Sequence, residues 1–114
     1  MIKVMTIVGT RPEIIRLSEI IKKLDIYTKH ILVHTGQNYD YELNEIFFHD
    51  LNIRTPDVFL SAADTTPLGT IANILKEIDK TLEVHKPDSI LILGDTNSSL
   101  CAIAAKRRKI PIFH

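Results

Sequence analysis

Two short segments of this 114-residue chain each place a glycine beside a charged side chain and a residue able to start a helix. They are Gly9-Thr10-Arg11-Pro12-Glu13 and Gly94-Asp95-Thr96-Asn97. Arginine in such a place offers a diphosphate a planar, two-pronged, charge-assisted hydrogen-bonding fork. Aspartate can accept a sugar hydroxyl or take up a proton. Each glycine lets backbone approach a ligand closely. A helix beginning just beyond it aims free N–H groups and a partial positive charge at an anion. A plainer reading is equally compatible with the spacing: Arg11 pairs with Glu13 as surface charge, and Asp95 caps a helix.

A third polar segment is His34-Thr35-Gly36-Gln37-Asn38-Tyr39-Asp40. It carries several hydrogen-bonding groups around a glycine, but its residue types fit a simple turn with an Asx cap at least as well. His30, His49 and His85 fall near element ends and are expected to be solvated. The five histidines lack metal-ligand spacing, so no metal is expected. Cys101, the only cysteine, excludes an internal disulfide and reads as a small core residue. Lys106-Arg107-Arg108-Lys109 sits where a helix should end and suits dipole complementation and solvation. The chain has no G-x-G-x-x-G, no G-x-x-x-x-G-K-[ST] and no G-x-S-x-G, which removes the dinucleotide fingerprint, the P-loop and the hydrolase nucleophile elbow.

The elements that must hold these residues follow from hydrophobic periodicity. Residues 2–8 form a short β-branched run that stops at Gly9, as a buried parallel strand would. Thr10 to Glu13 reads as a T-x-x-E capping box with Pro12 in the first turn. Ile14, Leu17, Ile21 and Leu24 follow at helical spacing. A second strand is expected over 30–34, a short helix over 42–48 and a weak third strand over 57–60. Thr66-Pro67 opens the clearest helix, with Leu68, Ile71, Leu75, Ile78 and Leu82 on one face. Residues 89–93 are a central strand, 97–108 a helix and 110–113 the start of a fifth strand. Strands alternating with helices imply an α/β fold with a parallel sheet and helices on both faces. In the common order 3-2-1-4-5, ligands bind where strands one and four diverge, beyond their carboxyl ends. Arg11 and Asp95 would then face one crevice. The chain stops at His114 as the fifth strand reaches that edge, an ending that suggests a fragment.

Composition sets the outer limits. Apolar residues make up 45% and charged residues 25%, the range of an ordinary globular domain, and the length allows one domain. Fourteen basic residues balance fourteen acidic ones, which argues against a nucleic-acid binder. No apolar stretch approaches a membrane span or a signal peptide, so the expected compartment is the cytoplasm.

Together, V-G-T-R-P-E at 8–13, H-T-G-Q at 34–37, L-G-D-T-N at 93–97 and P-I-F-H at 111–114 resemble the non-hydrolysing UDP-N-acetylglucosamine 2-epimerases. The resemblance runs the length of the chain. It implies a cytoplasmic enzyme of two Rossmann-like domains in a GT-B arrangement, of which residues 1–114 are part of the N-terminal domain and the C-terminal nucleotide-binding domain is absent. The implied reaction interconverts UDP-GlcNAc and UDP-ManNAc, or a related UDP-HexNAc, for surface polysaccharide synthesis. UDP is lost to give a 2-acetamidoglucal and re-added with inversion at C2, with no dissociable cofactor. By motif, Arg11 corresponds to the diphosphate-side arginine and Asp95 to a catalytic acidic residue near the sugar. His114 matches the histidine that opens the family's H-x-E-A-G segment. The remaining motif residues, Gly9, Thr10, Pro12, Glu13, His34, Gln37, Gly94 and Thr96, are expected to line the substrate site. A homodimer is implied, and the isolated chain is expected to be inactive because later catalytic residues lie beyond it. Residues 37–42 depart from the Gln-His pattern of many members and look closer to the branch that makes UDP-N-acetyl-L-fucosamine, so the exact hexosamine stays open.

Two other readings compete: half of a GT-B glycosyltransferase, which shares the alternation, and a non-enzymatic flavodoxin-like module. The pairing of G-T-R-P-E with G-D-T favours the epimerase.

Overall fold

The computed structural model describes residues 1–36, 48–93 and 100–113, leaving out the side chain of Arg11. In chain order the elements are β1 (Lys3–Val8), α1 (Arg11–Tyr27), β2 (Lys29–His34), β3 (Val58–Phe59), α2 (Pro67–His85), β4 (Ser89–Leu91), α3 (Cys101–Arg107) and β5 (Ile112–Phe113). The strands form one five-stranded sheet of order β3-β2-β1-β4-β5, parallel at every pairing, as the alternation predicts.

Side chains alternate across β1, and each set meets a different helix layer. Met5 and Ile7 join Ile74, Ile78 and Leu82 of α2 and Cys101, Ala104 and Ala105 of α3 in one core. Val8 joins Ile14, Leu17 and Ile21 of α1 with Leu32, Phe48 and Ile53 in the other. Both faces of the sheet are therefore covered, the condition that lets a parallel strand be apolar throughout. β4 meets it too, with Ile90 and Ile92 in the first core and Leu91 and Leu93 against the second.

Several expectations need correction. The buried face of α2 is Thr70, Ile74, Ile78, Thr81 and Leu82, whereas Leu68 is 78% exposed. The third strand has only two residues, but its pairing with β2 is prolonged at both ends. The Leu32 amide donates to the Asp57 carboxylate at 2.8 Å, and Leu60 and Ala62 donate to the carbonyls of His34 and Thr35 at 2.9 Å. The basic run is not merely solvated: Arg108 binds Asp79 at 2.8 Å and also Glu83, tying the end of α3 to α2. The short helix expected over 42–48 lies outside the described residues except for Phe48, which is helical, as are residues 49 and 50.

Candidate functional site

β1 is the strand from which the sheet grows in both directions, with β2 on one side and β4 on the other. Its carboxyl end is thus the point where strand order reverses. Register places Val8 beside His34, and the Thr35 amide donates to the Val8 carbonyl at 2.9 Å. On the far side Thr6 pairs with Leu91, and Ile92 and Leu93 then lead into the segment holding Gly94, Asp95 and Thr96. The first and third polar motifs are brought side by side. Gln37, Gly94, Asp95, Thr96 and His114 lie outside the described residues, as does the side chain of Arg11, whose main chain opens α1.

At the β1–α1 turn the capping box forms in altered shape. Thr10 is the N-cap with extended backbone, but its side chain makes no capping bond. Its hydroxyl is buried and has no partner among the described residues. Glu13 turns inward, only 3% exposed, and its carboxylate accepts the Gly9 N–H at 2.7 Å, one residue upstream of the N-cap amide that a capping box engages. The reading of Glu13 as surface charge is therefore wrong. A carboxylate of the chain itself also occupies the Gly9 N–H. Gly9 is buried and Pro12 exposed. Opposite Glu13, α3 begins with the fully buried Cys101. Burial first, and the nearby Glu13 charge second, push its thiol up to about 12. Cys101 is thus an inert core thiol.

His34 is 1% exposed and ends β2. Its ring stacks on Phe59, with centroids 5.0 Å apart, and meets Phe48 edge-on at 6.1 Å. The Gly36 amide donates to Nδ1 at 2.9 Å, so the ring hydrogen belongs on Nε2. The next residues bend sharply. Gly36 has φ of 67°, and a Cβ there would fall 2.7 Å from the Ser61 nitrogen, so glycine is required. The Thr35 hydroxyl, fully buried, has no partner among the described residues.

One polar cluster escaped the sequence reading. His30 is not solvated: its side chain is 1% exposed. Nε2 lies 2.6 Å from the Thr6 hydroxyl and Nδ1 2.6 Å from Asp25. Arg54 binds Asp25 at 3.1 Å and Asp57 at 2.9 Å. Alternation was the available signal, since His30, Leu32 and His34 share one strand face with period two. The cluster lies at the amino end of the sheet, away from the motif edge. Among the described residues no group of His, Cys, Asp and Glu could hold a metal ion, and no helix is long and apolar enough to cross a membrane.

The parallel sheet, its order and the polar motifs at its reversal point define a Rossmann-like α/β unit. The chain belongs to the UDP-N-acetylglucosamine 2-epimerase family, which it matches over residues 22–114. The structure of UDP-N-acetylglucosamine 2-epimerase from Rickettsia bellii is similar over 100% of this chain and 30% of its own, at 60% identity and a TM-score of 0.91. The Methanocaldococcus jannaschii UDP-GlcNAc 2-epimerase, solved with UDP-GlcNAc and UDP, is similar over 97% of this chain and 31% of its own, at 38% identity and a TM-score of 0.89. A UDP-2,3-diacetamido-2,3-dideoxy-D-glucuronate 2-epimerase of Pseudomonas aeruginosa is 38% identical over 98% of this chain and 32% of its own length. The chain thus spans about a third of the length of the curated relatives it matches.

Proposed function

We propose that this chain is part of the N-terminal Rossmann-like domain of a GT-B type, cytoplasmic and homodimeric enzyme that epimerises a UDP-N-acetylhexosamine at C2 for surface polysaccharide synthesis. The observation that carries the reading is the sheet order. It sets the end of β1, which opens the G-T-R-P-E turn, between β2, which ends at His34, and β4, whose chain continues in sequence toward Asp95. A UDP-sugar needs a cation at its diphosphate and a carboxylate at its hexose, and in this reading Arg11 and Asp95 supply them. In the reaction, the C2 proton goes to a base and the C1–O bond breaks, so that UDP leaves with the bonding pair. UDP then re-adds at C1 as a proton returns to the opposite face of C2. Asp95 acts near C2 or C3, Arg11 on the diphosphate. Gly9, Thr10, Pro12, Glu13, His34, Gln37, Gly94, Thr96 and His114 complete or support the pocket wall.

The Methanocaldococcus jannaschii relative supplies the remaining length for a test. A chimera of residues 1–114 followed by the rest of that relative is expected to interconvert UDP-GlcNAc and UDP-ManNAc, followed by proton NMR of the anomeric signals. The 114-residue chain alone is expected to convert neither. A folded chimera that leaves both sugars unchanged, and leaves diacetamido and deoxy analogues unchanged as well, would refute the reading. The Pseudomonas aeruginosa relative makes that wider panel necessary, since its substrate is a different UDP-sugar at near-equal identity.

A further inference from the structure

We propose that Glu13 is a positioning residue for the substrate site, a buried internal clamp that fixes the β1–α1 turn and thereby the arginine beside it. The proposal rests on the epimerase reading for what the turn holds, and on geometry for the clamp itself. Glu13 stands in the first turn of α1, two residues after Arg11. Its carboxylate leaves solvent to accept the Gly9 N–H at 2.7 Å, which ties the helix start to the last step of the strand. The usual side-chain cap is missing, since the Thr10 hydroxyl makes no capping bond. Glu13 does not replace that cap, which would accept an N–H of the first helical turn; it ties the end of the strand to the helix start from inside. Burying a carboxylate costs free energy unless it is hydrogen-bonded, and a helix N-terminus is where negative charge is best tolerated. Its charge also raises the pKa of Cys101, the first residue of α3.

Two chemical consequences follow. The Gly9 amide is not available to a phosphate, so the turn contributes to anion binding through the Arg11 side chain and not through that amide. The Glu13 bond also ties the turn to the end of the strand, so its loss should loosen residues 9–11 more than the strand itself.

Amide hydrogen exchange on the 114-residue chain tests the clamp, and kinetics of the chimera test its purpose. In Glu13→Ala, exchange at Gly9 is expected to speed up at least 100-fold while Met5 and Ile7 in the same strand change little. Glu13→Gln keeps an acceptor oxygen and should restore most of the protection. In the chimera, Glu13→Ala should raise KM for the UDP-sugar at least 10-fold with a smaller fall in kcat, and Glu13→Gln should recover most of the KM. If the alanine variant does not fold, Glu13→Asp takes its place: a shorter reach predicts the same loss at Gly9. Unchanged Gly9 protection overturns the clamp. A freed Gly9 amide with an unchanged KM reduces Glu13 to a structural role and overturns the positioning claim. A wild-type chimera that turns over no UDP-sugar overturns the epimerase reading instead, and the exchange data then judge the clamp alone.

Discussion

A histidine enclosed between a threonine hydroxyl and a carboxylate makes the fold sensitive to pH. Burial is the largest influence on His30 and lowers its pKa below the ordinary value. The hydrogen bond that Asp25 accepts and the charges of Asp25 and Asp57 oppose that shift, and the Arg54 charge adds to it. The unfolded chain, with an ordinary value of about 6.5, therefore takes up the proton first as pH falls. The stabilising contribution is complete above that value and is lost as pH drops through the lower folded-state value. His30→Gln should cost about 1–3 kcal/mol at pH 7 by leaving Thr6 or Asp25 poorly paired. Urea unfolding of both proteins at pH 7, 6 and 5 should show that difference narrowing; a constant gap would rule out His30 as its source. Cys101 gives a second expectation at this scale. Only the thiolate reacts, and a buried thiol pushed up to about 12 has almost none. Iodoacetamide at pH 8 should leave the native chain unmodified and label it once urea unfolds it; alkylation of native protein at the rate of a free thiol would contradict the assignment. The cysteine was legible as a core residue because it is small and sits in an apolar helical pattern. His30 was not, because a polar residue at a strand start gives no sign of its partners, which come from β1, from α1 and from the segment before β3.

At the level of elements, α2 shows what periodicity does and does not tell. Spacing identified the helix and its opening at Thr66-Pro67, where the Thr66 hydroxyl accepts the Gly69 N–H at 3.0 Å. It misjudged the buried stripe because Leu68 and Leu75 extend the apolar pattern, and periodicity cannot say which side the sheet lies on. Packing chose Ile74, Ile78 and Leu82, with Thr70 and Thr81 buried beside them through bonds to the carbonyls one turn back. Two substitutions separate the readings. Ile74→Ala should cost about 2–5 kcal/mol through the cavity it leaves. Leu68→Ala should stay within about 0.5 kcal/mol, as expected of an exposed site. Urea midpoints showing equal losses would mean that the helix is rotated from the face described. The link from α3 to α2 is weaker than its two carboxylates suggest. The pKa of Arg108 is raised above its ordinary value by the hydrogen bonds it donates to Asp79 and then Glu83, yet all three side chains are partly or largely open to solvent, where such pairs contribute little.

The whole molecule was the most legible scale, since alternating strands and helices of this length admit few sheets, and β1 proved to be its centre. The candidate site was legible only as motifs, and the sheet edge they are proposed to share follows from the order of the strands. The inward turn of Glu13 was not legible, because a T-x-x-E box reads the same whether its acid caps the helix from outside or clamps the strand from within. The same topology governs the last prediction, which concerns division of labour across the crevice. Arg11 follows β1 and Asp95 comes after β4 in sequence; these strands are neighbours, and the proposed function has one UDP-sugar span both. A diphosphate is charged before, during and after reaction, so a cation that holds it acts in every bound state. A carboxylate at the reacting carbon matters most when the proton moves. In the chimera, Arg11→Ala should therefore weaken UDP binding by about 2–5 kcal/mol, measured by calorimetry. Asp95→Asn, nearly isosteric, should leave UDP binding close to wild type while lowering turnover roughly 100-fold or more. Undiminished turnover in Asp95→Asn, or UDP binding unaffected by Arg11→Ala, would separate the two residues from a common ligand and leave the reversal point of the sheet without its proposed chemistry.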